Sequence, residues 1–184
     1  MNVYKYESYR EYLKVQRKTY KAKEDRVWAR RDIIDAIADE IKPIEPKRGI
    51  CHGVRTGEEV RWFAEALGCE VVGTELGRAR KNVVKWDFNK PNPDWFNAFD
   101  FVYSNSFDHA YSPVDTMLVW QGQLIAGGML IIEHSYKHEK AEYTDPFGAT
   151  VDEVAHMMSG YFDVCTVELE RFERKYRTAI IGVN

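Results

Sequence analysis

No stretch of this 184-residue chain approaches the roughly 18 consecutive apolar residues that a membrane-spanning helix needs. The opening residues, MNVYKYESYREY, also lack the apolar core of a secretory signal. Both absences make the cytoplasm the expected compartment. Cysteine is scarce. Cys51, Cys69 and Cys165 are far apart, odd in number and without metal-ligand spacing. That argues against a disulfide framework and predicts buried free thiols in a reducing compartment. A large excess of one charge is missing too. A net charge of -3 gives no general attraction for nucleic acid. The length allows one domain, or one domain with an appendage.

What is present is unevenly distributed. Residues 1–48 carry thirteen basic and nine acidic side chains, while the remainder carries thirteen and twenty. A basic N-terminal segment could meet an acidic substrate, but a solvated helix face explains it as well. Five of the eleven tyrosines, Tyr4, Tyr6, Tyr9, Tyr12 and Tyr20, lie in the first twenty residues. Such a stripe fits packing, or a helical lid over a pocket. Helices are expected over 5–23 and 26–42. Ile33, Ile34, Ile37 and Ile41 fall on one face of the second, and Asp25 is its expected N-cap. Pro43 and Pro46 end the segment. The chain therefore divides into an N-terminal helical appendage or lid, 1–47, and a main domain, 48–184.

From Gly49 the pattern alternates. Strands are expected at 49–52, 70–75, 82–87, 99–105, 129–134, 162–168 and 178–183. Helices are expected at 58–67, 114–124 and 151–159. This order predicts an α/β three-layer sandwich with a mostly parallel seven-stranded sheet. Only about eight polar residues, 169–176, separate the last two strands. A parallel crossover needs a dozen or more, so these two should be antiparallel neighbours. The link 76–81 is too short for a crossover helix.

The richest local signal is Arg48-Gly-Ile-Cys-His-Gly-Val-Arg-Thr-Gly57, read against Glu75. It reads as strand, glycine turn, helix, strand, acid. Glycine allows close backbone approach to a ligand, and an acid at the next strand's tip can accept from both hydroxyls of a ribose. The segment proposes an adenosine-containing cofactor.

From about residue 48 onward the chain resembles the class I S-adenosylmethionine-dependent methyltransferases, closest to those acting on small molecules and metabolites. Four elements carry the resemblance: the turn Cys51 to Gly57, the strand-end Glu75-Leu76, Trp86-Asp87-Phe88, and Phe99 to His109 followed by Gly127-Gly128 and an apolar strand. The resemblance implies a Rossmann-like sheet and S-adenosyl-L-methionine as cofactor. It implies methyl transfer by in-line displacement at the sulfonium methyl. Gly53, Val54, Arg55 and Gly57 would border the cofactor, and Glu75 would accept from the ribose. Leu76 and Phe88 would sandwich the adenine, Asp87 would take its amino group, and Asn105 would lie under the sulfonium. The chain departs from the family at Cys51, where an acid is usual, and at Arg55, where glycine is usual. Arg55 could instead take the cofactor's carboxylate.

His109 is the first candidate for a general base, with Asp108 to orient or assist it. On the residues alone, both could instead serve the helix start near Ser112 and Pro113. His134 ends the fifth strand, and His138, four residues on, lies in a polar stretch, 135–146, that reads as loop, so no metal site is expected. His52 is expected to be structural. The loop 135–149 and the N-terminal helices are the candidate substrate wall. Lacking a second domain, a strong basic patch and an Asn/Asp-Pro-Pro-aromatic tetrapeptide, the chain is expected to act on a small molecule rather than a nucleic acid or membrane. Two rivals remain: a non-catalytic domain acting as cofactor sensor or partner, and an NAD-dependent oxidoreductase, which would end its sheet parallel.

Overall fold

A computed structural model of the chain describes residues 1–172 and 175–184. Strand β1 (Asn2–Val3) precedes helices α1 (Tyr9–Ala22) and α2 (Arg31–Ile41). Then come β2 (Arg48–His52), α3 (Glu58–Leu67), β3 (Glu70–Glu75), β4 (Val83–Lys85), β5 (Phe99–Ser104), α4 (Pro113–Gln121) and β6 (Leu124–Ser135). The chain closes with β7 (Phe147–Gly148), α5 (Val151–Ser159), β8 (Asp163–Phe172) and β9 (Lys175–Val183). Seven strands form one sheet in the order β4-β3-β2-β5-β6-β9-β8. Neighbours from β4 to β6 are parallel, and β9 is antiparallel to both β6 and β8. The reversed last strand is the one the sequence predicts. Residues 173–174, inside the polar link expected at 169–176, lie outside the described residues.

Alternation along each strand fills two separate cores. Ile50, Val102, Leu130, Ile132 and Ile180 face α4 and α5, packing with Met117, Trp120, Val154 and Met158. Cys51, Phe101, Tyr103, Ile131, Ala179 and Ile181 face α2 and α3. The isoleucines of α2, Ile33, Ile34, Ile37 and Ile41, lie in that second core with Phe63 of α3.

Local signals set the helix limits. Gly57 and Gly68 flank α3 in the left-handed region, at φ 86° and 65°, where other residues are strained. At α5, the Thr150 hydroxyl accepts from Glu153 N, while Glu153 accepts from Thr150 N. That reciprocal cap fixes the start at Val151. Both helices have the limits read from the sequence.

Other boundaries move. Ser8, accepting from Glu11 N, caps α1, so that helix starts later than expected. Asp25 does not cap α2. Arg30 holds that position without a side-chain cap bond. Helix α4 stops at Gln121, and β6 already begins at Leu124. Gly127, at φ 76°, lies within β6, and the pairing with β5 shifts there. The short pair β1–β7, joined antiparallel, is a feature the sequence did not signal. The thiols also differ from expectation: Cys51 is buried, Cys69 half-buried and Cys165 exposed. No helix among the described residues is long and apolar enough to cross a membrane.

Candidate functional site

The parallel strands β2, β3 and β5 all end at one edge of the sheet, where loops from several elements converge. In open α/β sheets this edge holds the ligand crevice. Two connected spaces lie there. A narrow cleft of about 50 Å³ is lined by Tyr12, Tyr20, Glu75, Leu76, Asp87 and Phe88, among others. A wider cavity of about 250 Å³ is lined by Val54, Glu59, Asn105, Asp108, His138 and Arg177, among others. Gly53, Arg55, Ser106 and His109 border both. The structure thus gathers every candidate cofactor residue around these spaces except Gly57, which stands behind them as the N-cap of α3.

The turn after β2 is held from two sides. Gly53 N and Val54 N both donate to Thr74 O. Gly53 has φ 74°, and a Cβ there would lie 2.7 Å from Ser106 Cβ. This glycine is required by backbone conformation and by the neighbouring loop. Arg55 is also left-handed, at φ 43°, without being glycine. Its backbone N donates to Glu75 Oε2 at 2.8 Å, while Gly77 N donates to Glu75 Oε1 at 3.2 Å. Glu75 is 7% exposed, so this carboxylate is fixed by two backbone amides at the tip of β3.

Across the cleft, Asp87 is claimed by its neighbours. Its Oδ1 accepts from Asn89 N and Asn89 Nδ2, and its Oδ2 accepts from Tyr9 Oη at 2.5 Å. Burial first, then the bond to Asp87, pushes the Tyr9 phenol far up. Tyr12 of α1 donates to His109 O and accepts from Asn89 Nδ2. Gln16 donates to Thr144 O in the loop after β6. Helix α1 therefore roofs the cleft, bonded to both of its walls. Phe88 is half-buried and packs edge-on against Trp120, with ring centroids 5.4 Å apart.

At the far end, His109 follows β5 on a short 3₁₀ turn, residues 107–109. Its Nδ1 lies 3.1 Å from Thr144 O and donates to it, leaving Nε2 as the acceptor, 3.5 Å from Asp145 Oδ1. Asp108 Oδ2 lies 3.8 Å from His138 Nε2, and Asp108 Oδ1 is enclosed without a hydrogen-bond partner among the described residues. Burial works to raise the Asp108 carboxyl, but His138 and His109 outweigh it and hold it below the usual range. His134 lies in β6 and His138 on a short 3₁₀ turn, residues 136–139, where loop was expected; the two share no helix, and their rings meet edge-on at 5.4 Å. Asp108, His109 and Asp145 nonetheless bring one ligand atom each within 4.8 Å of one another, close enough to share a divalent ion.

His52 stands apart from the site. It bridges Thr74 Oγ1 and Gln123 Oε1 at 2.8 Å each and stacks on Trp120. Burial pushes it down to about 4. Sequence reasoning missed Asn89 and Glu59 as site residues, and reached Tyr9 and Asp145 only as members of a candidate lid and substrate wall. Glu59 had a signal: it falls four residues before Phe63, on the apolar face of α3. The others reach the site only through chain folding.

The strand order and the single reversed last strand define the fold of the class I S-adenosylmethionine-dependent methyltransferases. The Burkholderia thailandensis 1,6-didemethyltoxoflavin-N1-methyltransferase, solved with 1,6-didemethyltoxoflavin and S-adenosylhomocysteine, matches at a TM-score of 0.79 and 14% identity, over 98% of this chain and 92% of that one. A SAM-dependent methyltransferase from Aquifex aeolicus matches at 0.67 and 15%, over 90% and 97%. The [4+2]-cyclase SpnF shares the fold at 0.68 and 12%, over 83% and 80%. No protein-family model and no curated protein sequence matches the chain.

Proposed function

We propose that this protein binds S-adenosyl-L-methionine and transfers its methyl group to a small-molecule acceptor. The observation that carries this reading is Glu75. Its carboxylate is held at the tip of β3 by Arg55 N and Gly77 N, beside the glycine turn and opposite Asp87 and Phe88, in one cleft. A carboxylate accepts about four hydrogen bonds, so both Glu75 oxygens keep capacity for ribose hydroxyls. Leu76 and Phe88 offer apolar faces to a purine, and Asp87 can accept from its amino group once Tyr9 yields. Arg55 Nε is buried without a partner, which suits a carboxylate. The residues present fit the cofactor.

When bound, the cofactor supplies a methyl group already activated by its sulfonium sulfur. The protein's task is then to position the acceptor and exclude water. Helix α1, over the cleft, and the loop 135–149, along the cavity, do both. Held by Thr144 O, His109 presents Nε2 to the cavity as the base for a hydroxyl or amine acceptor, and Asp145 stabilises the imidazolium that forms. A polar cavity of about 250 Å³ suits a small acceptor better than a polymer.

Calorimetry with S-adenosylmethionine and S-adenosylhomocysteine tests the reading; no heat up to millimolar ligand overturns it. Transfer of a labelled methyl group into a metabolite pool tests the chemistry. Binding without any labelled product would instead favour a cofactor sensor. His109→Gln is expected to leave cofactor affinity within about twofold and to slow transfer by roughly 100-fold or more.

A further inference from the structure

Glu59 is the second residue of α3 and points, with Val60 and Phe63, toward the interior rather than solvent. It is 4% exposed. Asn105 Nδ2 lies 3.5 Å from its Oε1, and its Oε2 is enclosed with no hydrogen-bond partner among the described residues. A buried carboxyl oxygen without a partner is destabilising, so one that persists calls for a reason.

The surrounding charges do not supply one. Glu133, the acid nearest in kind, is matched by Arg177 and by the Tyr103 hydroxyl. Asp108 is matched by His138 and His109. No ion pair joins Arg55 to Glu59 among the described residues, although both line the same cavity of about 250 Å³. Arg55 Nε is likewise enclosed and unpartnered. Beneath them Cys51 is a neutral, buried thiol and adds no charge. The N-terminus of α3 favours a negative charge at Glu59 but provides no cation. Glu59 Oε2 and Arg55 Nε therefore face the same space, neither with a hydrogen-bond partner among the described residues, beside the glycine turn.

We propose that Glu59 and Arg55 form a receptor for an α-amino-acid group, Glu59 accepting from its ammonium and Arg55 donating to its carboxylate. This rests on the cofactor reading above, in which that group is the methionine end. The carboxylate that the resemblance would place at Cys51 is then supplied from the first turn of the following helix.

The test compares ligands that share the adenosine end. S-adenosylhomocysteine carries the amino-acid group; 5′-methylthioadenosine does not. Titration calorimetry on the full wild-type chain and on Glu59→Gln, with thermal unfolding to confirm that the variant folds, separates the two ends. A charge-assisted hydrogen bond sets the scale, so Glu59→Gln should bind S-adenosylhomocysteine about ten- to a hundredfold more weakly. Its affinity for 5′-methylthioadenosine should be unchanged. If Glu59→Gln binds S-adenosylhomocysteine as well as wild type does, or loses both ligands equally, the receptor assignment is wrong and the cofactor reading stands. If the wild-type chain binds neither ligand, the cofactor reading fails and takes the assignment with it.

Discussion

The Tyr9 hydroxyl donates to Asp87 Oδ2 at 2.5 Å, tying the roof helix to the wall of the cleft. That bond occupies the carboxylate expected to take a purine amino group. Removing the hydroxyl removes a competitor without disturbing the ring, whose edge packs on Tyr111. Tyr9→Phe should therefore bind S-adenosylhomocysteine at least as tightly as wild type and associate faster, measured by stopped-flow fluorescence. A tenfold loss of affinity would mean that the hydroxyl contributes to the bound state instead.

Glu75 has two duties that can be separated. Glu75→Ala leaves Arg55 N and Gly77 N without their acceptor, a loss of about 1–3 kcal/mol each if they stay buried. The melting temperature should drop, and cofactor affinity should fall by roughly 100-fold as two hydroxyl contacts are lost. Glu75→Gln keeps one acceptor and should recover part of the stability but little of the affinity. Unchanged affinity in either variant would remove the ribose assignment.

Glu59 makes the ligand-free protein sensitive to alkali. Burial first, then Glu133, pushes its carboxyl from 4.5 up to about 8, while Asn105 and Arg55 act against them. The folded state thus holds this proton more tightly than the unfolded chain. The stability it contributes is complete below pH 4.5 and is lost as pH rises through 8, at about 1.4 kcal/mol per pKa unit. Glu59→Gln cannot lose a proton. Denaturant unfolding at pH 8 should find the ligand-free variant more stable than wild type by a few kcal/mol, and the two nearly equal near pH 5. A site optimised for binding rather than stability behaves this way.

His52 has the opposite sign. Burial lowers it from 6.5 to about 4, so the unfolded chain takes up the proton first. Its neutral form supports the fold above pH 6.5, and that support is lost as pH falls toward 4. In His52→Asn, the slope of unfolding free energy between those values should be shallower than in wild type. An identical slope would place the acid sensitivity elsewhere.

Where local chemistry is self-sufficient, the sequence was enough. Gly57 and Gly68 bound α3, the Thr150–Glu153 cap starts α5, and the short final link reverses β9. Alternation likewise placed Glu75 at the tip of β3. Boundaries slipped where a residue's role depends on a distant partner. The strand expected at 129–134 begins at Leu124 instead, carrying Gly127 inside β6, where its N bonds Asn184 O at the far end of the chain. Asp25 reads as a cap, yet the chain does not turn into α2 until Arg30.

Periodicity and turn chemistry by themselves determined the alternating strands and helices and the reversed last strand, because those are decided within a few residues of each position; the candidate cofactor residues followed from the family resemblance those elements carry. Only the tertiary structure decided which groups meet. Tyr9 reaches Asp87 across 78 positions, His109 is oriented by Thr144, and Glu59 and Arg55 face one cavity without pairing. Those meetings depend on how α1 and the loop after β6 close over the sheet. Burial then gives each group a protonation behaviour that its identity alone does not specify.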